Sequence, residues 1–277
     1  LGVVVTGGTA GLGLAMARFF LLAGDRVVIC GRDHARLGRA LGQLRSDVPG
    51  GEVYGMACDV SAPGEARAFV SYAVSKLGLI DRWINGAGTA GHLKRPLWEL
   101  APDDIDETCR TNLCGTMMLC AEVVRAMLHQ PLEGTEPSFH IFNMGFSAAG
   151  LRSSPTAVPH RASKRAVALT TGFLDAELKK ARVRAIGVHE LSPGLVLTDL
   201  LLKDAGIRER RLFNAIAETP ETVAAALVPR VRAVSGSGRR LRYQPVILMV
   251  ARLIASKFGY RKRRFFDDEG RRRSAPT

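Results

Sequence analysis

The most chemically suggestive stretch lies near the start: Thr6-Gly7-Gly8-Thr9-Ala10-Gly11-Leu12-Gly13. Glycines at 7, 11 and 13 let a backbone turn tightly and approach a phosphate closely. Leu12 to Leu22 reads as a helix, whose unpaired N–H groups and positive dipole end face the same spot. The β-branched run Leu1 to Val5 precedes the turn, so the glycines stand between a strand and a helix. That is the setting of a dinucleotide pyrophosphate site. A second candidate closes the next strand, Arg26 to Cys30, which runs into Gly31-Arg32-Asp33. A carboxylate near here holds the ribose 2′-hydroxyl of NAD, whereas an arginine accommodates a 2′-phosphate. Arg32 can grip such a phosphate through two parallel bonds. The favoured cofactor is NADP(H), with Asp33 leaving some ambiguity. The plainer readings are an ordinary tight turn and a solvated surface arginine.

The elements that position these residues alternate. Further strands are expected at Val53–Cys58, Asp81–Asn85, Phe139–Met144 and Val183–Leu191. Helical stretches fall at Glu65–Leu77, Asp103–Leu128 and within Pro155–Lys180. Strands separated by helices imply a parallel sheet covered on both faces. The expected fold is α/β, a single doubly wound parallel sheet (Rossmann-like), with ligands at the carboxyl ends of the strands. The 277 residues, 47% hydrophobic, suffice for one sizeable core and are few for two. Residues 1–234 are read as the NADP-binding reductase domain. Residues 235–277 are read as a basic C-terminal extension behind a flexible joint, Ser235-Gly236-Ser237-Gly238.

Composition excludes several classes. No apolar run reaches the roughly 18 residues that a spanning helix needs. The five cysteines lack C-x-x-C spacing, so neither a disulfide frame nor a zinc or other metal site is expected. Aromatics are 6%, too few for a base-stacking surface, and no nucleic-acid partner is expected. The chain opens inside a strand without Met or signal peptide, which implies that any targeting segment has been removed. The net charge of +13 is unevenly placed: Pro229 to Thr277 holds 14 Arg and Lys against 3 acids. The preceding 228 residues are nearly neutral at +2. Such an end suits a polyanion or an anionic membrane surface, or is simply solvated.

Six motifs in order resemble the short-chain dehydrogenase/reductases. They are the glycine turn, Asp59-Val60, Asn85-Gly86-Ala87-Gly88, Thr111-Asn112-Leu113, a Ser and then a Lys flanking a helix, and Pro193-Gly194. The resemblance implies cofactor contacts from Gly7, Thr9, Gly11, Leu12 and Gly13. It places Asp59 and Val60 against the adenine, and Asn85, Ala87 and Gly88 at the middle of the cofactor site. Pro193, Gly194 and Thr198 meet the nicotinamide end. It also implies Asn112, a carbonyl-binding Ser147 and Lys164 as catalytic residues, with Lys164 shared with the cofactor. The general acid expected four residues before Lys164 is a tyrosine, and position 160 is histidine. A charged Lys164 one turn away pushes the His160 pKa down. His160 is then a substitute acid, an orienter of a proton-donating water, or the mark of a cofactor-binding chain without useful catalysis. Losing a general acid costs about 100- to 10,000-fold in rate.

A narrower resemblance is carried by Phe142-Asn143-Met144, Ser192 to Leu202, Glu218 to Val223, Leu227 to Arg232 and Arg263 to Arg271. These segments resemble chlorophyll(ide) b reductases. The resemblance implies NADPH-dependent reduction of the 7-formyl group of chlorophyll b or chlorophyllide b to hydroxymethyl, in the chloroplast at the thylakoid. It further implies a homo-oligomer or a homologous reductase subunit as partner. Rival readings are a reductase of another apolar aldehyde or ketone, and a non-catalytic NADP-binding subunit. Val246 to Phe258 is a helix candidate too short to span a bilayer. It either lies in a membrane interface or packs on the sheet or a subunit.

Overall fold

The computed structural model describes residues 1–131, 136–145, 156–260 and 263–273. Seven strands form one sheet in the order β3-β2-β1-β4-β5-β6-β7. They are β1 (Gly2–Thr6), β2 (Arg26–Gly31), β3 (Val53–Ala57), β4 (Arg82–Asn85), β5 (Phe139–Met144), β6 (Ile186–Ser192) and β7 (Arg240–Arg242). Every pairing is parallel, for example Val5 with Ile29 and with Ile84. Successive strand side chains point to opposite faces. Val3, Val5, Val27 and Ile29 therefore join one core, and Val4, Val28, Trp83 and Ile141 join the other. Both faces are buried, which is why these strands read as continuous apolar runs rather than alternating ones.

The first core is closed by α1 (Gly11–Leu22), α2 (His34–Asp47) and α9 (Pro220–Arg232). The second is closed by α3 (Pro63–Leu77), α5 (Gly115–Leu128) and α6 (Val158–Lys180). The order reverses between β1 and β4. Ligands bind at such a switch point, outside the carboxyl ends of the strands.

Several expectations are corrected. The single helix expected over Asp103–Leu128 is α4 (Pro102–Cys109), a π-helical turn over Arg110–Cys114, and α5. The sixth strand begins at Ile186 and not at Val183. Beyond it the chain builds α7 (Asp199–Leu202), α8 (Ile207–Ile216), α9 and, past β7, α10 (Val246–Lys257). The Ser235–Gly238 stretch is tied to the sheet rather than loose. Ser237 Oγ donates to Asp175 at 2.5 Å and accepts from Val188 N at 2.9 Å, and Gly238 N donates to Val188 O at 2.9 Å. The basic residues that follow supply β7, whose register pairs Glu190 with Arg240.

Candidate cofactor and catalytic site

A cleft of about 1120 Å³ runs along the carboxyl end of the sheet. Its inner wall is the glycine turn, with Gly7, Thr9, Gly11, Leu12 and Gly13 all on the lining. A Cβ at Gly13 would stand 2.3 Å from Gly7 O, so only glycine lets α1 start this close to β1. Gly7 has φ 70°, and a Cβ there would meet Ala87 Cα at 2.8 Å. Thr6 Oγ1 accepts from Gly86 N and Ala87 N, both at 3.1 Å, and so clips the turn after β1 to the turn after β4. Ala10, the residue before α1, is extended and provides no side-chain cap. The first amide groups of α1 are thus left for an anion, and a pyrophosphate fits this floor.

Arg32 lines the same cleft at the end of β2. Its Nη1 donates to Glu107 Oε1 at 2.8 Å, and His92 Nε2 lies 2.7 Å from Glu107 Oε2. These bonds hold the Glu107 carboxyl below the usual carboxylate range. Asp33 lines the cleft too, and its Oδ1 caps α2 by accepting from Arg36 N at 2.6 Å, which lowers its pKa. Position 31 has no room for a side chain, since a Cβ would lie 2.6 Å from Thr9 Cγ2.

Val60, Ala87, Gly88, Pro193, Gly194 and Thr198 also line the cleft. Asp59 and Asn85 do not. The Asp59 carboxylate accepts from Ser61 N and Ser61 Oγ and shapes the turn after β3. Asn85 is buried behind the wall, accepting from Trp83 Nε1 at 2.7 Å and donating to Asn143 Oδ1 at 2.8 Å. Thr198 caps α7, and its methyl faces Gly11 across the cleft. Ser147 lies outside the described residues.

The candidate catalytic residues His160 and Lys164 sit on the first turns of α6. His160 is 3% exposed, and its Nδ1 donates to Thr89 O at 2.7 Å. That bond leaves Nε2 as the acceptor nitrogen of the neutral ring. Burial, then the Lys164 charge, push the His160 pKa down to about 4, against the Thr89 bond. Lys164 Nζ donates to Met144 O at 3.2 Å, and burial pushes its pKa down to about 8. Asn112 does not line the cleft but braces it from behind. Its Oδ1 accepts from Thr89 N at 2.8 Å, and its Nδ2 donates to Thr89 O at 2.9 Å and Ser163 Oγ at 3.0 Å. It reaches them from the π-helical turn, an irregularity that tends to mark functional positions. Thr89 and Ser163 escaped the sequence reading. Thr89 acts mainly through its backbone, which no residue type signals.

The outer wall is largely apolar, with Arg264, Arg272 and Arg273 also on the lining. Leu197, Leu201, Ala205, Phe213, Ala217 and Phe266 form a third cluster, with Leu195, Leu202 and Phe265 packed on it. Asn214 pins the C-terminal segment here, accepting from Phe265 N and Phe266 N and donating to Phe266 O. Glu218, 2% exposed, ion-pairs with Arg252 at 3.0 Å and with Arg264.

The fold and this cleft define a nicotinamide-dependent oxidoreductase architecture. The family described as short chain dehydrogenase matches residues 2–206, and the chain belongs to it. The chain is 39% identical to the probable chlorophyll(ide) b reductase NYC1 of Oryza sativa subsp. japonica, over 97% of itself and 54% of that protein. It is 37% identical to the chlorophyll(ide) b reductase NOL of Arabidopsis thaliana, over 96% of itself and 77% of that protein. It thus spans little more than half of the first relative's length. Among solved structures, a 3-oxoacyl-[acyl-carrier protein] reductase from Brucella melitensis in complex with NAD superposes with TM-score 0.72 at 26% identity. It covers 89% of this chain and 96% of that one. An actinorhodin polyketide ketoreductase with NADPH superposes with TM-score 0.69 at 29% identity, covering 87% and 94%. The family fold binds a nicotinamide cofactor, and relatives with this sequence pattern are chloroplastic.

Proposed function

We propose that the chain reduces the 7-formyl group of chlorophyll b or chlorophyllide b to hydroxymethyl, with NADPH as donor, in the chloroplast at the thylakoid. The observation that carries this reading is the reach of the similarity. It extends over 97% of the chain, and so includes the C-terminal segment that walls the cleft at Phe265 and Phe266. An apolar wall suits a macrocycle, although apolar lining is common to small-molecule pockets. When bound, the cofactor supplies a hydride to the formyl carbon, and the oxygen must then gain a proton.

NADPH is favoured over NADH on three grounds. Arg32 lines the cleft, position 31 has no room for a carboxylate, and Asp33 is engaged as a helix cap. Lys164 lies on the lining and would help hold the cofactor, as the resemblance implies, and Ser147 keeps the carbonyl-orienting role that the resemblance gives it. His160 holds its proton on Nδ1 against Thr89 O, so the neutral ring offers the cleft no acidic hydrogen from Nε2. Proton delivery then falls to the small imidazolium fraction or to a water, and turnover is slow.

A second reading rests on the same residue: a cofactor-binding subunit that docks on an active homologue. One assay separates the readings. NADPH oxidation is followed with chlorophyllide b, watching the loss of the formyl absorption, beside a panel of other aldehydes. Slow pigment conversion is expected. Reduction of other carbonyls with no pigment change overturns the substrate. No turnover in the parent, with activity appearing in His160→Tyr, favours the subunit.

A further inference from the structure

Helix α10 is built inside out. Ile247, Val250, Ile254 and Phe258 recur at helical spacing along one face, and all four are exposed, Ile247 by 84% and Phe258 by 87%. Leu248 and Tyr260 are exposed beside them. Arg252 of the same helix points the other way. It turns inward to the buried Glu218 at 3.0 Å, on the side where α10 packs against α8. A helix facing water alone would present the arginine outward and bury the isoleucines.

We infer that α10 is an interfacial helix that lays Ile247, Val250, Ile254 and Phe258 into the surface layer of an anionic lipid bilayer. Its 12 residues span about 18 Å, too short for a hydrocarbon core of about 30 Å, so it lies along the surface and does not cross. Among the described residues no helix is long and apolar enough to cross a membrane. Charge selects lipid over a second copy of the chain as occupant. In the stretch from Pro229 to Thr277, Arg252 and Arg264 turn inward to Glu218, but Arg230, Arg239, Arg271, Arg272 and Arg273 are exposed. Two such surfaces repel one another, whereas an anionic headgroup layer attracts them. Tyr260 stands at one end of the helix, and its ring, apolar with a polar hydroxyl, favours the headgroup level.

The helix is coupled to the cleft. Arg252 holds Glu218, and Glu218 is hydrogen-bonded through its backbone to Leu195 and Leu197 of the apolar wall. In its placement beside the substrate side of the cleft the inference rests on the proposed pigment reaction. The lipid contact itself does not.

Flotation of the purified chain with pigment-free vesicles tests it. Vesicles of neutral phosphatidylcholine are compared with vesicles carrying about one third phosphatidylglycerol. The chain is expected to float with the anionic vesicles and to lose most binding at high salt. The double variant Ile247→Asp/Ile254→Asp is expected to lose at least about tenfold in binding while keeping its melting temperature and NADPH affinity. A parent that does not float, or a variant that floats equally, overturns the assignment. So does a parent oligomer in sedimentation that falls apart in the variant, since the face would then be covered by a second copy. Because no pigment is present, failure here is separate from failure of the chlorophyllide assay.

Discussion

At the scale of single residues, His160 stands in the cleft as a buried, neutral imidazole. With a pKa of about 4, roughly one ring in a thousand is protonated at pH 7. If imidazolium is the acid, kcat should rise about tenfold for each pH unit between 7 and 5, which initial-rate measurements check. His160→Tyr should raise kcat by about 100-fold or more, because Lys164 stands one turn away to favour the phenolate. Arg32→Ala should raise the NADPH KM by about tenfold and barely change that for NADH. Glu107→Gln should move the NADPH value the other way by a few-fold, since its exposed pairing with Arg32 competes with a phosphate and is itself weak. Much of this site was legible in the sequence, because glycines, Arg32 and Lys164 act through residue type. The brace behind it was not: Thr89 acts through its carbonyl and amide, and Asn112 depends on a π turn that no residue pattern announces.

Whole elements divide in the same way. The strands and α1 were readable because both faces of a parallel sheet are buried, leaving near-continuous apolar runs. Helix α2 was not placed from sequence. Only Leu37, Ala40 and Leu44 of its 14 residues are buried, a thin stripe interrupted by glycines and charges. Its start is fixed by the Asp33 cap, so Asp33→Ala should cost about 1 kcal/mol in a denaturant titration. Helices α7 and α8 are short and pack on segments distant in sequence, such as Phe266, which local patterning cannot reveal. Glu218 ties two of these distant pieces, α10 and the 263–273 segment, to the cleft wall. Glu218→Ala leaves two inward-facing arginines without their carboxylate. Hydrogen exchange should then speed up across 246–273 while β1 to β5 stay protected.

The molecule as a whole carries an acid-sensitive core at the far end of its sheet. His140 Nδ1 lies 2.9 Å from His189 Nε2, and burial lowers the two to about 3 and 4, with Arg82 adding to it. Folded values below the unfolded value of about 6.5 mean that the unfolded chain takes up protons first. Stability is therefore full above pH 6.5 and falls progressively toward pH 4, and melting temperatures taken across that range should drop accordingly. The charge asymmetry takes on meaning at this scale too. The basic stretch is partly structural, since Arg264 and Arg252 fold inward and Arg240 pairs with Glu190. The placement of Phe266 has one more consequence. The glycine turn and its first βαβ unit are synthesised early, but the wall opposite them waits for residues near position 266. A nascent chain can thus be competent to hold nucleotide long before it has a pocket for anything to be reduced. A chain cut after Tyr260, and so lacking Phe265 and Phe266, should still bind NADPH in a titration while losing aldehyde reduction.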